Sequence, residues 1–142
     1  MLPGDITDVR EIRKYLVDLH SKFRVREVGF DSWQFSVPAA ELNEAGIRCV
    51  AVPQTAKELT PAVREFLAAV HNGDVVHFDN PVLKWMASNV ALVESEKHSG
   101  IKPEKLAPTQ KIDGIAALIN AWSRMLLAPP PSVYLERGIQ FI

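Results

Sequence analysis

The order of segments along the chain predicts an α/β domain, a sheet layered against helices through crossover connections. Apolar residues recur at helical spacing in three long segments, and short β-branched runs without that period lie between them. The composition agrees: 142 residues, 47% hydrophobic and 23% charged, have the balance of one globular domain. A domain of this size buries roughly 70% of its unfolded surface and folds without disulfides or structural metal.

The first segment places Val9, Ile12, Leu16, Leu19 and Phe23 three and four residues apart, one stripe of a helix that Asp8 and Glu11 start. Val25 to Phe30 reads as a strand ending in Asp31-Ser32-Trp33. Ser36 followed by Pro38 predicts the start of a short helix that Gly46 ends. Ile47 to Val52 is the best strand, short and β-branched, and Pro53 stops it.

Thr60 as cap and Pro61 at the first helical position open the next helix, with Val63, Phe66, Leu67 and Val70 on one face and Asn72-Gly73 at its close. Val75 to Phe78 is expected as a short strand, and Asn80-Pro81 caps a helix to about Ser88. Val90 to Glu94 and the stretch after Gly100 predict a β-hairpin around a polar tip. The last helix runs from about Thr109 to Leu127, with Ile112, Ile115, Ile119, Trp122 and Leu126 inward. Three prolines, 129 to 131, end the main unit of residues 1–128 and lead into an apolar tail, residues 129–142. Strands are few for a complete α/β domain, and the opening directly on a helix suggests that earlier strands are missing.

Sixteen Lys and Arg against seventeen Asp and Glu give a net charge of −1, which excludes a polybasic protein binding through bulk charge. Any nucleic-acid contact then comes from a local patch or a metal. The single Cys49 excludes an internal disulfide and reads as core, and no Cys/His cluster has zinc spacing. His20, His71, His77 and His98 fall in no HxH or HExxH spacing, and none is assigned to catalysis. No apolar run approaches the roughly 20 residues of a membrane span and no signal peptide is visible, so the expectation is an intracellular, soluble domain without a membrane partner.

Two carboxylates stand out by position. Asp31 follows a hydrophobic strand, where open α/β sheets place their ligands. Asp113 lies in the first turn of the last helix, and the small Gly114, Ala116 and Ala117 after it are expected to let that helix pack closely on the sheet. Carboxylates meeting at strand ends repel unless a cation neutralises them, which suits Mg²⁺ or Mn²⁺. The spacing alone equally allows a turn or cap residue at Asp31 and a helix-dipole charge at Asp113. Trp33, Trp85 and Trp122 could stack bases, with core packing the plainer expectation.

Several ordered pieces narrow this. Glu27-Val28-Gly29-Phe30-Asp31-Ser32-Trp33, Val52-Pro53-Gln54-Thr55, Leu59-Thr60-Pro61, Asn80 to Met86 with Asn89, and above all Lys111-Ile112-Asp113-Gly114-Ile115-Ala116-Ala117-Leu118 resemble the nuclease half of the large terminase subunit of tailed bacteriophages. The resemblance implies an RNase H-like central mixed sheet flanked by helices, lacking the first strands of the fold. It implies an endonuclease cutting concatemeric double-stranded DNA during packaging, with Mg²⁺ or Mn²⁺ as cofactor. Three acidic residues hold two such ions in that family. Asp31 and Asp113 match two of them, and the position of the third, on the first strand, has no match here; one ion or none is therefore expected. Lys84, Lys102, Lys105 and Lys111 could contact DNA phosphates or be solvated surface lysines, and of these Lys105 best resembles a family lysine ahead of the final aspartate. The implied partners are the phage DNA, the terminase ATPase half, the small terminase subunit and the portal, in the cytoplasm of the bacterial host. No G-x-x-x-x-G-K-[ST] phosphate loop of the motor occurs. The rival expectation is a non-catalytic module of the same fold that binds DNA or packaging partners.

Overall fold

The computed structural model describes residues 8–95 and 100–127. Helix α1, Val9–Lys22, opens at Asp8, whose carboxylate accepts from the Arg10 amide at 2.9 Å. The Arg10 guanidinium closes on the same carboxylate and holds Asp8 below the usual carboxylate range. The predicted stripe is present but only half covered: α1 has no buried residue, and Phe23 is 64% exposed.

Strand β1, Val28–Phe30, pairs in parallel with β2, Cys49–Ala51, through the crossover helix α2, Ser32–Glu44. Helix α3, Ala56–Asn72, ends at Gly73, whose φ of +78° is the left-handed closure that glycine adopts without strain. Both α2 and α3 start earlier than their prolines suggest. Asp31 caps α2 by accepting from the Trp33 amide at 3.1 Å, and Thr55 caps α3 by accepting from the Glu58 amide at 3.3 Å. Pro38 and Pro61 therefore lie inside their helices, each removing one helical hydrogen bond. The hydroxyls read as caps act elsewhere. Ser36 donates to the Ser32 carbonyl at 2.8 Å, while Thr60 donates to Ala56 at 2.6 Å and accepts from the Ile101 amide at 2.8 Å.

The strand expected at Val75–Phe78 does not form; Val76 and Phe78 are 80% and 98% exposed, and no strand among the described residues pairs with them. The chain instead turns through Asp79, at φ 54°, into α4, Pro81–Ala87, which Asn80 caps through the Val82 and Leu83 amides. The hairpin forms as expected, β3, Val90–Ser95, antiparallel to β4, Gly100–Lys105. The Leu106 amide donates to the Asn89 carbonyl, which sets the alternation so that Pro103, opposite Leu92, falls where no ladder donor is needed. Helix α5, Asp113–Leu126, completes the order. Parallel and antiparallel pairings both occur, in two two-stranded ladders among the described residues.

The core lies where α3 crosses α5 and meets the hairpin. Val52, Leu59, Ala62, Val63, Ile115 and Ile119 are buried together, with Phe66 edge-on to Trp122 at 5.2 Å. Gly100 lets β4 lie against α3, because a Cβ there would stand 2.8 Å from the Ala56 backbone. No helix among the described residues is long and apolar enough to cross a membrane. The predicted tail, residues 129–142, lies outside the described residues.

Candidate functional site

Strand β1 and helix α5 run antiparallel and in close contact. The Arg124 Nε donates to Glu27 Oε1 at 2.6 Å, and a Cβ on Gly29 would stand 3.2 Å from the Asn120 carbonyl and 3.0 Å from Arg124 Cγ. The small residue that admits α5 to the sheet is thus on the strand. Gly114, expected to serve that purpose, faces α4 instead: its Cβ position is 3.0 Å from Met86 Sδ and 3.1 Å from Leu83 Cδ1. Gln54 ties the end of β2 to the same helix, its amide donating to Val52 O at 2.7 Å and to Asn120 Oδ1 at 3.1 Å.

The antiparallel course locates both candidate carboxylates. Two strand residues, about 6.6 Å from Glu27 to Gly29, correspond to four helix residues, about 6 Å from Arg124 back to Asn120. Asp31, just past β1, therefore falls at the end of the pair where α5 begins, and Asp113 is the first residue of α5. Both are exposed, and neither is in a salt bridge among the described residues. One Asp31 oxygen accepts from the Trp33 amide as a helix cap. The indole of Trp33 is 87% exposed beside it and does not join the core, whereas Trp122 does.

Asn89, 3% exposed, holds the approach to Asp113: its side-chain amide donates to the Lys111 carbonyl at 3.0 Å and its own carbonyl accepts from Leu106. Of the candidate lysines, Lys102 is paired with Glu104 at 2.9 Å, which offsets its charge, while Lys105 and Lys111 are exposed.

Carboxylate oxygens are the hard ligands Mg²⁺ and Mn²⁺ favour. Among the described residues, however, no group of three or more His, Cys, Asp or Glu side chains could hold an ion. Asp31 and Asp113 supply oxygens of the right chemistry, without a third acidic partner among the described residues.

The opposite end of the β1–α5 pair carries features that spacing did not reveal. A cavity of about 760 Å³ is lined there by Arg26, Glu27, Gly29, Arg48 and Arg124, among others. Glu27, its side chain 18% exposed, bridges Arg124 at 2.6 Å and Arg48 at 3.5 Å. The arginines come from the approaches to β1 and β2 and from α5, so no local motif could have shown them together.

The α/β fold is the RNase H-like fold of terminase nucleases: the structure is similar to the crystal structure of the HK97 bacteriophage large terminase with a TM-score of 0.75, at 25% identity, over 87% of this chain and 26% of that one. The sequence places it within that class. Residues 3–128 match the family "Terminase large subunit, endonuclease domain", and the chain belongs to it. Protein YmfN of Escherichia coli (strain K12) is 30% identical over 88 residues, 61% of this chain and 19% of YmfN. The chain thus spans a fifth to a quarter of the proteins it matches.

Proposed function

We propose that the chain acts as a divalent-metal-dependent endonuclease on concatemeric double-stranded phage DNA, with Asp31 and Asp113 as metal ligands. What supports this, beyond family membership, is the course of β1 against α5, with Asp31 directly after the strand and Asp113 opening the helix. When bound, Mg²⁺ or Mn²⁺ would activate water and stabilise charge building on the scissile phosphate. The residues of this chain position and attract. The cap bond to Trp33 orients Asp31, Asn89 fixes the backbone leading to Asp113, and Lys105 and Lys111 supply positive charge for phosphates, with Lys102 weaker because of Glu104. Its partners would be the ATPase half, the small terminase subunit and the portal, in the cytoplasm of the host bacterium.

A second reading has its own observation. Two carboxylates without a third among the described residues favour weak binding of one ion or none, which suits a non-catalytic module that binds DNA or packaging partners. A crystal soaked with Mn²⁺ and read by anomalous scattering separates the two. The nuclease reading expects one Mn²⁺ peak between Asp31 and Asp113, lost in Asp113→Ala. No peak, with the carboxylates held apart, would leave the module.

A further inference from the structure

We infer that the cavity at the far end of the β1–α5 pair binds a backbone phosphate of duplex DNA, about four to five base-pair steps from the scissile one. The inference rests on the nuclease reading for the position of the scissile phosphate. Three guanidinium groups, Arg26, Arg48 and Arg124, line the cavity against one carboxylate, Glu27. Glu27 engages the Nε edge of both Arg124, at 2.6 Å, and Arg48, at 3.5 Å. The terminal nitrogens of these two arginines make no hydrogen bond among the described residues. Arg26 has no ion pair there either.

The terminal nitrogens of the guanidinium forks are donors suited to phosphate oxygens, and Val28, Ala121, Met125 and Leu127 complete the lining. The chain carries a net charge of −1, so a polyanion needs a local excess of this kind.

The nuclease reading favours DNA over an acidic peptide. Four strand residues from Glu27 to Asp31 span about 13 Å, and eleven helix residues from Arg124 to Asp113 about 16 Å. A duplex advancing about 3.4 Å per base pair covers that interval in four to five steps.

The test is fluorescence anisotropy of the full chain with a labelled duplex of about 20 base pairs in EDTA, across a salt series. Arg26→Ala and Arg48→Ala alter exposed side chains, and Arg64→Ala on α3 serves as control. Each cavity substitution is expected to weaken binding several-fold and to reduce the log K against log salt slope by about 0.9, with Arg64→Ala unchanged. An unchanged slope in both cavity variants overturns the proposal, as does failure of the unsubstituted chain to bind the duplex. So does a polyglutamate peptide whose binding both substitutions abolish while DNA binding persists. Metal is absent throughout, so these outcomes are independent of the Mn²⁺ peak that tests the aspartates.

Discussion

Helices α1 and α5 carry the same alternation of apolar residues and differ in what that stripe meets. In α5, Ile115 and Ile119 are 8% and 2% exposed, locked between α3, α4 and the hairpin. In α1 no residue is buried; the helix rests on α2, aided by the Arg13–Glu41 pair at 3.4 Å. Exposed ion pairs of that sort contribute under about 1 kcal/mol. Periodicity therefore reports that a helix has an apolar face; it does not report how much of that face is covered. The difference gives the molecule a well-sealed side and a thinly covered one, with β1 and β2 between them.

The largest expected effect is on the sealed side. Ile119→Ala deletes atoms from the centre of the cluster and should lower stability by about 2–5 kcal/mol, read from the urea midpoint at constant slope. A loss below about 1 kcal/mol would mean that α3 and α5 close over the space. The corresponding change on the thin side, Leu16→Ala, should cost about 1 kcal/mol or less, because a half-buried leucine leaves little cavity. Amide hydrogen exchange sharpens the same contrast: α1 should exchange through local opening, and α5 only through global unfolding. Equal protection of the two helices would break the comparison.

Legibility followed the range of the signal. Asn80-Pro81 as a helix start, Asn72-Gly73 as a helix end and the hairpin all formed as expected, since each depends on a few neighbouring residues. The starts of α2 and α3 were misplaced because Ser36 and Thr60, each just ahead of a proline, were read as the caps, when Asp31 and Thr55 offered caps five residues earlier. Val75–Phe78 had strand composition and no strand to pair with. At the candidate site, Asp31 and Asp113 were visible as residues. Their shared end of the β1–α5 pair was not, because it follows from Glu27 meeting Arg124 across 97 positions. The arginine cavity was hidden for the same reason: it is assembled from β1, α5 and the approach to β2.

The smallest expected effect belongs to Cys49, on β2 where the two sides meet. Its amide is held by Asn43 Oδ1 at 2.9 Å, and partial burial pushes the thiol above its ordinary value, since desolvation disfavours the thiolate. A folded value above the unfolded one, near about 8.5, means a contribution fully present below that pH and lost as pH rises through the folded value. Wild-type stability should therefore fall faster with pH above about 8.5 than that of Cys49→Ala, and the difference between the two isolates this thiol. Alkylation by iodoacetamide at pH 8 should be slower in the folded chain than in urea, because only the thiolate reacts. Equal rates would mean that β2 is as open as α1, and would move the boundary between the two sides from β2 to the edge of α3.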